Sequence, residues 1–277
     1  MKLYRSSKNT WILHEETAYL ADKEWDVLVN RPGLYQQLHA EIGRLDIDPD
    51  FRTDQPFDAP ARGQEIWAAG VTYLRSREAR MAEARDAGGG DFYDRVYDAE
   101  RPEIFFKSTA SRASGHLGEV RIRRDSHWNV PEPELTLFIC SAGSIEGYTV
   151  GNDMSSRSIE GENPLYLPQA KTYDRSASIG PCLWVPEAPI AGDTRISLSI
   201  IRGDSMVFSD SVLLSRMKRS PADLVAWLCR ELSFPQGCYL MTGTGIVPPD
   251  DFTLHAGDTV RISIDGIGTL QNTVTLQ

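Results

Sequence analysis

The hydrophobic pattern changes character along the chain. Up to about residue 60, short apolar runs alternate with polar and proline-containing joints such as Arg31-Pro32-Gly33 and Gln55-Pro56, which predicts a small N-terminal lobe over residues 1–60. From Glu65 an apolar stretch, IWAAGVTY, runs into a charged, helix-like segment from Leu74 to Ala87, ended by Gly88, Gly89 and Gly90. Beyond it the chain reads as short β-like runs bounded by Gly, Pro, Asp and Asn: Leu135 to Cys140, Tyr148 to Val150, Cys182 to Val185, Ile196 to Ile201 and Thr259 to Ile264. One helix interrupts them. Ser220 is its N-cap, Pro221 its first helical residue, and Leu224, Val225, Trp227, Leu228 and Leu232 its apolar face, so it is expected to pack across a sheet. The expected class is mainly β with a few helices (α+β), and no fixed period points to a solenoid or a propeller.

Composition narrows the functional classes. With 277 residues, 41% of them hydrophobic and 25% charged, the chain can bury a large core. A formal net charge of -10 removes the electrostatic reason to bind a phosphate backbone or an anionic lipid surface, so neither nucleic acid nor membrane is an expected partner. The opening MKLYRSSKNTW has no apolar core of a secretory signal, and no later run spans a bilayer, so a cytoplasmic location is expected. Cys140, Cys182, Cys229 and Cys238 form no CxxC pair, so reduced, largely buried thiols are expected instead of a zinc or redox centre.

The chemistry is carried by acids at strand mouths. In Val130-Pro131-Glu132-Pro133-Glu134-Leu135 two carboxylates stand two residues apart, and on an extended strand such residues share a face. Alone, an E-x-E pair is more often solvated surface charge. This one leads directly into an apolar strand, and Gly147-Tyr148-Thr149-Val150-Gly151-Asn152-Asp153 supplies a third carboxylate at a strand end, although Asp153 would equally suit an Asx turn. Three carboxylates without histidine or cysteine make a hard oxygen site, suited to Mg²⁺ with Mn²⁺ or Ca²⁺ as substitutes. The stretch from Met154 to Lys171 mixes charge with Pro, Gly and aromatic residues in no helical period and reads as a functional loop. Lys171 would bring an ammonium to such a site, whereas a lysine or arginine taken singly, Arg157 included, is more often at the surface.

At this point the residues resemble a known family. Glu132-Pro133-Glu134-Leu135, Gly147 to Arg157, Ala170-Lys171 and Ile179-Gly180-Pro181 look like the signature blocks of the fumarylacetoacetate hydrolase superfamily. Thr242-Gly243-Thr244-Gly245, His255-Ala256-Gly257-Asp258 and Gly266 to Asn272 look like its C-terminal pattern, so the resemblance covers residues 65–277. It implies a mixed β-sandwich roll, a homodimer or higher homo-oligomer, Mg²⁺ held by Glu132, Glu134 and Asp153, and a substrate pocket that includes Lys171 and Thr244.

One departure is informative. Hydrolytic members carry a water-activating histidine, in many of them a few residues after an Asn-Tyr pair, whereas the matching stretch here runs Val71 to Ala79 with Ser76 at that place. None of His14, His39, His116, His127 and His255 falls there. General-base assistance is commonly worth about 10²- to 10⁴-fold, so hydrolysis is not the expected reaction. Tyr97 to Lys107, Glu160 to Lys171 and Thr242 to Pro248 resemble the 2-keto-3-deoxy sugar-acid dehydratase branch instead. That resemblance implies a hydro-lyase acting on a small 2-keto acid, a 2-keto-3-deoxy pentonate such as 2-keto-3-deoxy-D-arabinonate, to give 2,5-dioxopentanoate through a cation-stabilised enolate. Glu103 is implied beside the metal, sharing the proton transfers with Lys171. Arg75, Ser76, Lys107, Arg157, Gln169 and Thr244 are the expected substrate contacts. The alternatives are an acylpyruvate hydrolase or an oxaloacetate decarboxylase of the same superfamily, and, from another class, a noncatalytic 2-keto-acid or metal-binding protein.

Overall fold

The computed structural model describes residues 1–74 and 96–276. Most of the helix-like segment read from Leu74 to Ala87, its terminating glycines, and Arg75 and Ser76 lie outside the described residues.

In chain order the elements are β1 (Lys2–Arg5), β2 (Thr10–His14), β3 (Thr17–Leu20), α1 (Trp25–Val29), α2 (Leu34–Glu41), β4 (Glu65–Gly70), β5 (Glu103–Thr109), β6 (Glu119–Ile122), β7 (Asn129–Val130), β8 (Pro133–Ile139), β9 (Ile145–Asp153) and β10 (Ser155–Ser156). Then follow α3 (Arg157–Glu162), α4 (Leu167–Lys171), β11 (Ala177–Trp184), β12 (Arg195–Arg202), β13 (Ser205–Leu213), α5 (Pro221–Leu228), β14 (Cys238–Met241), β15 (Thr259–Ile264) and β16 (Gly268–Leu276). The strands form a nine-stranded mixed sheet of order β3-β2-β1-β11-β9-β8-β14-β4-β5, a five-stranded sheet of order β13-β12-β15-β16-β6, and the small β10-β7 pair.

Strand alternation sorts side chains between two cores. Leu135, Leu137 and Ile139 of β8 join Ile196, Leu198 and Ile200 of β12 and Val260, Ile262 and Ile264 of β15 in the core between the two sheets. Phe138, Tyr239 and Met241 face the other way, where Trp25, Leu28, Leu34 and Leu38 of α1 and α2 cover the large sheet. Because β8 is buried on both faces, its sequence reads as a nearly continuous apolar run.

The five strands expected in the second half are all present, as parts of β8, β9, β11, β12 and β15. The helix begins as its sequence predicts, with the Ser220 side chain accepting from the Asp223 N–H and Pro221 in the first turn. It ends at Leu228, so Leu232 falls beyond it and is 44% exposed. Trp227 stays at the rim, its ring between the guanidinium groups of Arg101 (4.6 Å) and Arg230 (3.6 Å), while Leu224, Val225 and Leu228 enter the core. Residues 1–60 are continuous with the large sheet: β1 pairs antiparallel with β11, and the Met1 ammonium donates to the Val185 carbonyl at 2.8 Å.

Candidate active site

Glu132 and Asp153 stand opposite each other where β8 starts and β9 ends. Each gives its backbone N–H to the other's carbonyl, at 3.2 and 3.0 Å, which makes them a hydrogen-bonded antiparallel pair with side chains on one face. Glu134 is two residues further along and points to the same face. Its register partner is Gly151, and a Cβ there would lie 2.2 Å from Thr136 Oγ1. The result is a triad of buried carboxylates whose ligand oxygens all lie within 4.8 Å of one another.

Three buried cations meet these three acids. Lys171 ends α4 and places Nζ 2.6 Å from Glu132 Oε2, 3.2 Å from Asp153 Oδ2 and 2.6 Å from Ser155 Oγ. Arg157 donates from Nη2 to Glu132 Oε1 at 2.6 Å. Lys107 lies 2.5 Å from Asp153 Oδ1. Ions at this depth persist only when paired, because the desolvation of a lone charge is prohibitive.

The segment carrying Arg157 and Lys171, read from its sequence as a loop, folds into two short helices. The side chains of Ser156 and Asn163 accept from the N–H groups of Ile159 and Leu165, and Pro164 and Pro168 open the turns that follow. Local capping supplies the helical turns that hydrophobic periodicity does not show, and α4 delivers Lys171 to the acids.

A small cavity opens on the triad, with Arg157, Lys171 and Thr244 in its walls alongside Val71, Phe105 and Gly243. Six of the expected residues therefore converge: Glu132, Glu134, Asp153, Arg157, Lys171 and Thr244. Glu103 lies opposite Gly70, a wall residue, and a Cβ on Gly70 would lie 2.1 Å from the Glu103 carboxylate. A side chain at 70 would displace the carboxylate from this place.

Two expected substrate contacts are placed elsewhere. Gln169 is exposed on α4 and outside the cavity wall, because the short helix turns it away from the face that carries Ala170 and Lys171 inward. Lys107 is fully buried and also absent from the wall, its ammonium being taken up by Asp153 and by the carbonyls of Met154 and Lys171. The Gly243 N–H donates to Glu134 Oε2 at 2.6 Å. Ser155, whose hydroxyl touches the Lys171 ammonium, and Phe105, whose ring centroid is 5.7 Å from it, were not singled out from the sequence. A signal existed for Phe105: in E-I-F-F-K, the alternation places Glu103 and Phe105 on one face.

The donor set suits a hard divalent cation. The ligand oxygens are carboxylate, and among the described wall residues there is neither histidine nor cysteine. The electrostatics agree. Burial, then the charges of Asp153 and Glu132, hold the Glu134 carboxyl well above the ordinary glutamate value, while Lys171 and the Gly243 N–H pull it the other way. A cation must displace the proton retained there, so Mg²⁺ affinity is expected to rise with pH from the ordinary glutamate value up through the raised one. Over the same window the metal-free protein should lose stability, since the unfolded chain has already ionised its glutamates while the fold still holds a proton. Calorimetric titration of Mg²⁺ in two buffers of different ionisation enthalpy measures the released protons; no proton release would contradict this.

Comparison with known proteins agrees with this site. Residues 66–275 match the family described as Fumarylacetoacetate (FAA) hydrolase C-terminal. The chain is 48% identical over 241 residues to the "Probable 2-keto-3-deoxyxylonate dehydratase" of Haloferax volcanii, covering 86% of this chain and 82% of that protein. It is 42% identical over 226 residues to the "2-dehydro-3-deoxy-D-arabinonate dehydratase" of Saccharolobus solfataricus, covering 80% and 74%. Among solved structures, "2-keto-3-deoxy-D-arabinonate dehydratase complexed with magnesium and 2,5-dioxopentanoate" superposes with a TM-score of 0.88 at 31% identity, over 100% of this chain and 99% of that one.

Proposed function

The chain belongs to the fumarylacetoacetate hydrolase family, and from that premise we propose that it is a magnesium-dependent hydro-lyase converting a 2-keto-3-deoxy pentonate into 2,5-dioxopentanoate. The observation that carries the reading is the Lys171 side chain held against two of three clustered carboxylates in the wall of a cavity. Relatives named for this reaction at 42 and 48% identity support it, as does the similar dehydratase structure complexed with magnesium and 2,5-dioxopentanoate.

Glu132, Glu134 and Asp153 would hold the cation. When bound, it supplies two positive charges to a site whose own acids and bases balance, matching a substrate carboxylate and the charge that develops at the C2 oxygen. Lys171 acts from its neutral amine form, its ammonium proton having passed to solvent beforehand, and takes a proton from C3. Glu103, beside the wall residue Gly70, gives a proton to the C4 hydroxyl as it leaves as water. The remaining rearrangement moves hydrogens from C5 and its hydroxyl to C3 and C4, so that one water is lost overall and an aldehyde stands at C5. Arg157 and Thr244 are the described residues available to orient the substrate, Arg157 while anchored on Glu132. The same reading includes a cytoplasmic location and a homodimer or higher homo-oligomer, which light scattering on the purified protein measures.

The test incubates the protein with 2-keto-3-deoxy pentonates, acylpyruvates and oxaloacetate, with Mg²⁺ and again with EDTA. Metal-dependent 2,5-dioxopentanoate is the expected product; acylpyruvate cleavage or CO₂ release without dehydration would replace this reading with a hydrolase or a decarboxylase. Glu103→Gln should lower kcat for dehydration by about 10²- to 10⁴-fold while C3–H exchange into D₂O survives. Loss of exchange together with dehydration would move Glu103 to the C3 proton.

A further inference from the structure

Lys107 answers a question that the ligand set leaves open, namely what holds Asp153 in place. It is one of the largest fully buried side chains of the protein, and it stands on β5 where the pairing with β4 skips it, Ile66 facing Ser108 and Trp67 facing Phe106. Its ammonium lies 2.5 Å from Asp153 Oδ1, donates to the Met154 carbonyl at 2.9 Å, and donates to the carbonyl of Lys171 itself. The ammonium therefore has two carbonyl acceptors and one ion-pair partner. Those acceptors belong to the end of β9 and the end of α4, the two segments that carry Asp153 and Lys171. The other oxygen of Asp153, Oδ2, is the one turned towards Lys171 Nζ.

We propose that Lys107 is a positioning residue that reserves Oδ1 of Asp153, so that this acid offers a divalent cation one oxygen only, and that locks the Asp153 strand end to the Lys171 helix end. The proposal rests on the metal-centred reading of the site. It differs from a substrate contact, since Lys107 does not reach the cavity wall. It also differs from simple core filling, because a buried cation is costly unless its charge is used. Removing the charge has a counterintuitive consequence. Asp153 gains a second free oxygen and loses its resident counter-ion, so the cation should bind more tightly while turnover falls.

The experiment titrates Mn²⁺ into the wild-type protein, Lys107→Met and Lys107→Gln, reading free Mn²⁺ by its paramagnetic resonance signal, with no substrate present. Deleting one unit charge beside the ligand predicts affinity tighter by about tenfold in the variants, with kcat reduced and KM for the keto acid changed less than kcat. Unchanged or weaker Mn²⁺ binding by a folded variant overturns the proposal, as does a KM effect with kcat intact, which would make Lys107 a substrate contact. Should neither variant fold without metal, the measurement becomes its melting transition with Mn²⁺. Recovery of the fold by the ion supports the clamp, and failure of millimolar Mn²⁺ to recover it overturns the clamp. Because Mn²⁺ binding needs no substrate, the dehydratase reading can fail in the product assay while the clamp stands, or the reverse.

Discussion

Glu134→Gln is expected to lower kcat/KM by about a thousandfold or more, because a metal's stabilisation of developing charge amounts to several kcal/mol and each factor of ten is about 1.4 kcal/mol. The substitution isolates charge from shape. Gln fills the same volume and its carbonyl can still accept the Gly243 N–H that now meets Oε2 at 2.6 Å. What is lost is one anionic ligand from a triad whose oxygens lie within 4.8 Å of one another. Stability should move in the opposite direction. In the metal-free fold Glu134 is buried beside Asp153 and Glu132, the two charges that help to push its carboxyl upward. An amide there removes that repulsion, so above the ordinary glutamate range the metal-free variant should melt higher than the wild type, by about 2–4 °C for each kcal/mol relieved. Calorimetry with EDTA and product assays with saturating Mg²⁺ read the two effects separately. Full turnover in Glu134→Gln would remove Glu134 from the ligand set; equal melting temperatures would mean that the repulsion is already screened in the native fold.

Gly243→Ala should be strongly destabilising. Gly243 has φ +91°, a backbone conformation that side-chain-bearing residues rarely adopt. A Cβ there would lie 2.0 Å from Thr72 Oγ1 and 2.9 Å from the Ala69 carbonyl oxygen. Thr72 cannot simply turn away, since its hydroxyl donates to the Thr242 carbonyl at 2.7 Å and the residue is fully buried. Strain of about 1–3 kcal/mol from the backbone adds to the steric clash, and a total above about 4 kcal/mol is a large share of the 5–15 kcal/mol by which a domain is stable. The expected result is little soluble protein, or a folded remnant with weakened Mg²⁺ binding because the turn no longer presents its N–H to Glu134. Thr72→Ala combined with Gly243→Ala tests the cause: it removes the hydroxyl, while the Cβ at 72 stays only 3.1 Å from the added atom, so relief should be partial. A soluble single variant with native melting behaviour would show that the turn can relax.

The local rules of the chain determined a good deal. Period-two alternation is a property of extended backbone itself, so Glu132 and Glu134 had to share a face once that segment became a strand, and Glu103 and Phe105 likewise. The Ser220-Pro221 start of α5 is equally local, resting on one side chain's bond to an N–H three residues ahead. Carboxylates without histidine define a hard site whatever fold carries them. Two of the strands that escaped reading, β13 and β14, have environments that hide the period, whereas β16 alternates in burial but is built largely of polar residues. β14 is buried on both faces, and β13 is a largely exposed edge strand, so neither alternates.

What only the tertiary structure decided is who stands opposite whom. That Asp153 pairs with Glu132, that β1 of the N-terminal region joins β11, and that the Lys107 ammonium ends on Asp153 and not in the cavity all depend on contacts between segments far apart in the chain. Such contacts form only when the two cores close, because the entropy of bringing distant segments together is recovered through buried apolar surface that belongs to no single segment. Side-chain direction along a strand is therefore legible from residues in a row, whereas strand order, register and the partners of a buried charge are settled by packing.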